Sequence, residues 1–253
     1  MPFLRRKAVP RRPPTPPDDL LAGVGGGDYW YAGERALFLL NQLAHLRSSD
    51  RVLDVGCGLG RVAWPLEAKL SRSGSYDGLD VVKSYTDWCV GSLGLDPARF
   101  RFHYADVRTS SYNPHGAIEA KDFVFPWPDD SFTLTIATSL FTHLLPDATA
   151  HYFREIARTL RRGGRLFASL FLLDAASREA AAAGTTDPTF GFPMEHGLLH
   201  DPAVPESAVA YDSDWIFDAL AAAGLTVTAV HSGNWKARPG LEHQDLLVAV
   251  RKR

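Results

Sequence analysis

The chain has 253 residues, of which 45% are apolar and 22% charged, and its formal net charge is −2. This composition allows one sizeable hydrophobic core, in one domain or at most two. The slightly acidic balance argues against a protein that binds mainly to a nucleic-acid backbone, and we expect no nucleic-acid partner. Since no run of about 18 apolar residues occurs, we also expect no membrane span.

Residues 1–19 differ in composition from the rest of the chain, with six prolines and five Arg or Lys residues. Proline lacks a backbone donor and fixes φ, so we expect a disordered basic tail here and one folded domain over residues 20–253. The tail has no apolar segment of the kind that secretory signals carry. Cys57 and Cys89 are the only cysteines, which favours a reducing, cytoplasmic setting.

Strands and helices alternate from Asp28 onward, beginning with a helix that Asp28 can cap and that ends near Arg47. The apolar run 52–55 stops at a glycine, which is typical of a buried parallel strand. The later predicted strands cover residues 76–80, 100–105, 132–138, 166–173, 226–231 and 246–250. This alternation predicts an α/β fold, Rossmann-like, with a mostly parallel sheet and helices on both faces.

Residues 174–211 break this alternation. They contain an alanine-rich stretch followed by prolines, histidines and aromatic residues that show no period. We interpret them as an insertion that covers the site and forms part of a lid and substrate pocket.

A glycine-rich turn, Asp-Val-Gly-Cys-Gly-Leu-Gly at residues 54–60, directly follows the first strand. Glycines allow a tight turn and let backbone N–H groups approach a ligand closely. Asp80 ends the second strand, and Asp106 follows the third. Because the carboxyl ends of adjacent parallel strands line one crevice, we expect these acids and Asp54 to face one small ligand. A ribose diol, an adenine amino group and positive charge would all suit them.

A dinucleotide-dependent oxidoreductase is the alternative interpretation of the glycine turn. The pattern G-x-G-x-x-G would need glycine at position 61, where the chain has Arg61, and a pyrophosphate would lie near the charge of Asp54. The chain also lacks a Tyr-x-x-x-Lys pair. These features disfavour a dinucleotide.

With these motifs in order, the sequence resembles the class I S-adenosylmethionine-dependent methyltransferases. VLDVGCGLGR is similar to their first motif, YDGLD to the second, FHYADV to the adenine-side motif, SFTLTIATSLFTHL to the fourth-strand motif and LRRGGRLFASL to the hairpin that enters the fifth strand. The resemblance covers residues 48–173 well. One departure is Thr133, where the family often has Asp. The resemblance implies a seven-stranded sheet whose last strand is antiparallel, and S-adenosyl-L-methionine as the cofactor.

The resemblance also implies roles for residues of the first two motifs. Gly56, Gly58 and Gly60 would cradle the methionine and ribose portion of the cofactor. Asp54 would lie near its amino group, and Asp80 would accept hydrogen bonds from the ribose hydroxyls.

The remaining cofactor-binding residues that the resemblance implies follow later strands. Asp106 would take the adenine amino group, and the Val107 N–H would reach a ring nitrogen. Val81 would also bind the cofactor, and Ser139 and Leu140 would lie beside the sulfonium.

A methyl carbon on a sulfonium is already activated, so such a protein mainly aligns a nucleophile, and a hydroxyl nucleophile needs a base. His143 is the best-placed base because it follows the fourth strand, although a histidine bonded to nearby backbone is the common alternative. Further candidates are His196, His200, His231, His243, Glu195 and Asp212. The loose spacing of the acids and histidines at 195–201 does not predict a metal site.

The sequence thus predicts a methyltransferase that uses S-adenosylmethionine and acts on a small-molecule acceptor, with a hydroxyl oxygen as first choice. Nitrogen or carbon acceptors stay open as alternatives, and so does a non-catalytic protein that binds the cofactor. The oligomeric state is left open.

Overall fold

A computed structural model describes residues 12–25 and 27–252 and has a central sheet with helices on both faces. The helices are α1 (Asp18–Leu21), α2 (Tyr29–Leu43), α3 (Ala63–Lys69), α4 (Lys83–Ser92), α5 (Pro146–Thr159), α6 (Ala175–Ala182) and α7 (Ser213–Ala222). The strands are β1 (Arg51–Val55), β2 (Ser75–Asp80), β3 (Phe100–Tyr104), β4 (Val107–Arg108), β5 (Ile118–Glu119), β6 (Phe132–Ala137), β7 (Leu160–Leu173), β8 (Phe192–Met194), β9 (Gly197–Leu199), β10 (Val209–Asp212), β11 (Leu225–His231) and β12 (Asp245–Arg251).

Seven strands form the core of the sheet, in the order β3-β2-β1-β6-β7-β12-β11. The first five are parallel to one another. β12 is antiparallel to both β7 and β11. The predicted α/β fold, with a mostly parallel seven-stranded sheet and an antiparallel last strand, is therefore confirmed.

The continuous apolar runs of the sequence reflect burial on both faces of the sheet. Every residue of β6 is buried, and so are four of the five residues of β1. One core cluster packs α5 and α7 against one face, and a second packs α2 and α3 against β1, β6 and β12. Strands covered by helices on both faces are typical of parallel sheets.

Residues 174–211, interpreted from the sequence as a lid and part of the substrate pocket, contain three short strands. β8, β9 and β10 form an antiparallel meander, and β10 pairs in parallel with the carboxyl end of β7 through residues 171–173. β7 has 14 residues and extends beyond β6, which leaves this edge available. Phe190 and Ala210 pack with Phe171 and Trp235 in a third core cluster. Burial of these apolar side chains therefore makes the segment an extension of the sheet.

The predicted disordered tail is described only from residue 12, and residues 1–11 lie outside the described residues. Arg12 pairs with Glu34 of α2 at 2.8 Å, and Trp30 Nε1 donates to Thr15 Oγ1 at 3.2 Å. Residues 18–21 form α1. Arg12 and Thr15, which belong to the predicted tail, thus contact α2.

Within the described ranges, each helix is too short or too polar to cross a bilayer.

Candidate functional site

A cavity of about 770 Å³ opens at the carboxyl ends of the parallel strands. Its wall includes residues 54–58 at the end of β1, residues 79–81 at the end of β2 and residues 138–140 after β6. It also includes residues of α2 and of the loop that enters β12. The volume lies within the range of roughly 300–1,000 Å³ that small-molecule sites occupy.

The glycine turn forms part of the cavity wall with its backbone. Gly56 and Gly58 have φ values of +78° and +54°, a left-handed conformation that side-chain-bearing residues rarely adopt. The Gly56 N–H donates to the Leu79 carbonyl at 2.8 Å, which ties the turn to β2. Gly60 has another role, because a Cβ there would lie 2.6 Å from Leu93 Cδ1. Gly60 lets the turn pack on α4, and it lies outside the described cavity lining.

Asp54, the last-but-one residue of β1, lines the cavity yet is only 1% exposed. The Tyr76 hydroxyl donates to its Oδ2 at 2.7 Å. Its Oδ1 has no hydrogen-bond partner among the residues that the structure describes. Burial raises the pKa of Asp54 to about 7, although the Tyr76 bond acts in the other direction. The cavity wall therefore contains a buried oxygen that can accept a hydrogen bond from a ligand.

Asp80 lies at the end of β2, beside the glycine turn. Its Oδ2 accepts from the Gly58 N–H at 2.7 Å and its Oδ1 from the Val82 N–H at 2.9 Å. Burial raises the pKa of this carboxyl, with the backbone bonds acting against that effect. Each oxygen keeps lone-pair capacity for one more donor. Asp80 and Val81 both line the cavity.

Asp106 and Val107 are placed away from the cavity. The exposed Asp106 carboxylate accepts from the Tyr104 hydroxyl at 2.9 Å, and the Val107 N–H donates to the Ala105 carbonyl at 2.8 Å. Of the described residues after β3, Ala105 lines the cavity but these two do not. The chain turns at Ala105 and continues as β4, which pairs with β5, and this turn directs Asp106 outward.

Ser139 follows β6 in a left-handed conformation, with φ of 55°. Its N–H donates to Ser169 Oγ at 2.7 Å, and the Ser169 hydroxyl donates to Gln244 Oε1 at 2.6 Å. Ser139 Oγ lies 3.3 Å from the same amide oxygen. This network joins β6, β7 and the start of β12, and it holds Ser139 and the neighbouring Leu140 on the cavity wall.

His143 ends a single 3₁₀ turn over residues 141–143 and lines the cavity. Its Nδ1 lies 2.9 Å from the carbonyl oxygen of Glu206. A carbonyl oxygen only accepts, so the neutral ring has its proton on Nδ1 and a lone pair on Nε2. The Tyr112 hydroxyl lies 3.5 Å from Nε2. His143 therefore combines the backbone contact expected of a structural histidine with an Nε2 that can act as a base.

The other base candidates divide by position. His243 lines the cavity as well. His196 stacks on Trp215 with ring centroids 4.8 Å apart, and His200 Nδ1 lies 2.7 Å from the Thr189 carbonyl. Four candidates lie outside the described cavity lining: Glu195, His196, His200 and Asp212. His231 lies on β11, also outside this lining.

Metal ligation has no support in the part of the chain that the structure describes, where no three His, Cys, Asp or Glu side chains form a group that could hold an ion. Glu195 and His196 lie in the turn between β8 and β9, and His200 and Asp201 follow β9.

Sequence reasoning missed the wall formed by α2. Residues 28, 31, 32, 35, 36 and 39 line the cavity, and Arg35 Nε lies 2.5 Å from Glu242 Oε1 on the loop before β12. These positions follow the helical spacing of three and four, so the face was visible in the sequence. The contact of this face with the cavity was not visible in the sequence, because periodicity alone does not say which part of the protein a helical face meets.

Residues 52–164, which contain the glycine turn, Asp80 and His143, match the family model described as a methyltransferase domain. This segment is a methyltransferase domain. A solved S-adenosylmethionine-dependent methyltransferase from Methanosarcina mazei matches 83% of the chain and 97% of its own length, with a TM-score of 0.57 and 16% identity. That likeness concerns the fold.

Two curated relatives each match about half of the chain in sequence. The 27-O-demethylrifamycin SV methyltransferase of Amycolatopsis mediterranei (strain S699) is 33% identical over 129 residues, which are 51% of the chain and 41% of the relative. Methyltransferase GfsG of Streptomyces halstedii is 32% identical over 136 residues, 53% of the chain and 42% of the relative. The chain thus spans well under half the length of these relatives.

Proposed function

We propose that this chain transfers a methyl group from S-adenosylmethionine to a hydroxyl oxygen of a small-molecule acceptor. The observation that carries the proposal is that one cavity is lined both by the buried Asp54, with its unpartnered oxygen, and by His143, with its Nε2 lone pair. The first group suits a cationic cofactor, and the second suits the removal of a hydroxyl proton.

The residues of the cavity fit the cofactor. Asp54 Oδ1 has no hydrogen-bond partner among the described residues, and the ammonium group of the cofactor's methionine portion can donate to it. The opposite charges also attract in this buried setting. The glycines leave room for close approach, since a Cβ on Gly56 or Gly58 would already touch Leu140 or Val24 at 3.5 Å. When bound, S-adenosylmethionine supplies a methyl carbon that its sulfonium charge already activates.

The adenine-side roles of Asp106 and Val107 belong to this proposal too. For Asp106 to serve there, its carboxylate would have to leave the Tyr104 hydroxyl and turn toward the cavity. For Val107, the N–H would have to leave the Ala105 carbonyl. A local rearrangement of residues 104–107 is therefore part of the proposed binding.

On the acceptor side, the chain's own groups orient and deprotonate the hydroxyl. His143 Nε2 would accept the hydroxyl proton as the oxygen bonds to the methyl carbon. The electron pair of the broken carbon–sulfur bond would stay on sulfur, and neutral S-adenosylhomocysteine would leave. Ser139 and Leu140 line the same cavity as His143. A correctly placed base of this kind contributes about 10²–10⁴-fold to the rate.

The acceptor class is supported by the cavity and by the relatives. The cavity holds about 770 Å³, enough for a small molecule beside a nucleoside. The name of the Amycolatopsis relative places its methyl group on an oxygen of a small molecule. The net charge of −2 gives no general attraction to nucleic acid. We also propose a cytoplasmic location, which the two free, buried cysteines support.

The test is a screen of metabolite extracts with methyl-labelled S-adenosylmethionine, followed by mass spectrometry of the labelled products. We expect label on an oxygen and a fall in kcat of about 100-fold or more in His143→Ala. The affinity for S-adenosylhomocysteine should stay within about threefold. His200→Ala, which changes a histidine outside the described lining, is the control. Unchanged turnover in His143→Ala would exclude His143 as the base.

A further inference from the structure

The segment 174–211 reaches the candidate site at Glu206, which lies in the 3₁₀ turn Pro205–Ser207. The Glu206 carboxylate accepts from the N–H of Ser110 at 2.5 Å and from its hydroxyl at 2.6 Å. The backbone carbonyl of Glu206 accepts from His143 Nδ1 at 2.9 Å. One residue thus holds two different loops, one through its side chain and the other through its main chain.

The loop held by the Glu206 side chain also carries Tyr112. Thr109 Oγ1 accepts from the N–H groups of Tyr112 and Asn113 at 2.9 and 3.1 Å, which makes residues 109–113 a tight turn. Within this turn, the Tyr112 ring meets the His143 ring edge to face, with centroids 5.4 Å apart and an interplanar angle of 80°. The contacts therefore form a closed ring from the 109–113 turn through Glu206 and His143 back to Tyr112.

The position of the Glu206 carbonyl depends on these contacts. None of the three residues of the 3₁₀ turn is buried, whereas the chain is buried from Ala208 onward, where it enters β10. Within the turn, the Ser207 N–H donates to the Val204 carbonyl at 2.8 Å. The Ser110 bonds to the Glu206 carboxylate tie the turn to the loop after β3. Removal of the carboxylate should therefore let the carbonyl move away from His143.

We propose that Glu206 is a positioning residue that selects the His143 tautomer with its proton on Nδ1 and so keeps the Nε2 lone pair directed to the cavity. This inference rests on the proposed function for its catalytic consequence. A neutral imidazole can place its proton on either nitrogen, and only a partner that cannot donate favours Nδ1–H. The inserted segment thereby controls the proton-accepting atom of the site from behind the cavity wall.

The experiment compares Glu206→Ala, Glu206→Gln and the control Glu195→Ala by nitrogen-15 NMR of the histidine rings. Glu195 is a glutamate of the same segment whose side chain is 81% exposed. We expect one tautomer, protonated on Nδ1, for His143 in the unmodified protein and in Glu195→Ala. Glu206→Ala should give a mixture of tautomers. Glu206→Gln, whose amide oxygen can still accept from Ser110, should restore the single tautomer.

Kinetics with labelled S-adenosylmethionine and the acceptor identified in the screen add a second measurement. Glu206→Ala should lower kcat about tenfold while the KM of the acceptor and the S-adenosylhomocysteine affinity stay within about threefold, since geometry and not binding is lost. Ser110→Ala, which removes one of the two bonds, should show a smaller fall and keeps the test open if Glu206→Ala fails to fold.

A single Nδ1–H tautomer in folded Glu206→Ala, or an Nε2–H tautomer in the unmodified protein, would overturn the inference. Failure of the proposed function is recognised separately, by the absence of methyl transfer from the unmodified protein, and the tautomer signals alone then decide the role of Glu206.

Discussion

The Tyr76 hydroxyl donates a 2.7 Å hydrogen bond to one carboxylate oxygen of Asp54, and the other oxygen has no partner in the described part of the chain. Burial outweighs the single bond and raises the Asp54 pKa to about 7. A buried carboxylate that is only half satisfied destabilises the folded state when it is ionised. A cofactor that brings a cationic donor would remove this cost. The pH dependence of stability and of cofactor affinity should both follow from this half-satisfied carboxylate.

Asp54→Asn should separate stability from binding. Because the folded pKa of Asp54 lies above its unfolded value of 3.8, its contribution to stability is present below about pH 4 and is lost as the pH rises through about 7. At pH 8 the neutral amide should therefore stabilise the free protein by about 1–3 kcal/mol. S-adenosylhomocysteine affinity should fall about tenfold or more. Thermal unfolding and calorimetry at pH 8 test both effects, and a destabilised variant with normal affinity would contradict them.

The affinity for S-adenosylhomocysteine should depend on pH through the same group. A cationic ligand group favours ionised Asp54, so binding below about pH 7 must release a proton. We expect affinity about tenfold weaker at pH 6 than at pH 8. Calorimetry in two buffers of different ionisation enthalpy measures the released proton. The same titrations on Asp54→Asn should show no such release, and a release that persists in this variant would assign the proton to another group.

Asp80→Asn and Asp106→Asn form a matched pair of isosteric changes. Asp80 lines the cavity and accepts from Gly58 and Val82, whereas Asp106 is exposed beside Tyr104. We expect Asp80→Asn to weaken S-adenosylhomocysteine binding by about 1.5–3 kcal/mol, the usual contribution of hydrogen bonds to a charged group. Asp106→Asn should have the smaller effect. Isothermal titration gives the ranking, and the reverse order would mean that the 104–107 turn rearranges fully on binding.

The fold was predictable because its signals are local. Apolar runs ending at the glycine turn and at Asp80 identified β1 and β2, and Asp28 caps α2 as expected by accepting from the Tyr31 N–H at 2.7 Å. The cavity lining was predictable where a residue ends a strand or directly follows it, as at Asp80. It was not predictable at Asp106, where a turn reverses the side chain, or at Glu206, whose contacts with Ser110 and His143 span 96 and 63 residues.

Gly60→Ala tests the packing role that the structure gives to this glycine. Its φ of +72° disfavours any side chain, and a Cβ would also lie 2.6 Å from Leu93 Cδ1. The matched control is Gly94→Ala, where φ is +66° but nothing lies within 4 Å. We expect the control to cost about 1 kcal/mol of unfolding free energy and Gly60→Ala clearly more, since overpacking adds about 1–3 kcal/mol. Equal losses in denaturant unfolding would show that the contact with Leu93 relaxes freely.

The most direct test of the central claim is calorimetric titration of the full chain with S-adenosylhomocysteine, with NAD as the comparison ligand. The account predicts one S-adenosylhomocysteine bound per chain, with a dissociation constant on the order of micromolar or tighter and a corresponding free energy near −8 kcal/mol. NAD should give no saturable heat. Saturable binding of NAD in place of S-adenosylhomocysteine, or no binding of S-adenosylhomocysteine at all, would contradict the assignment of this cavity.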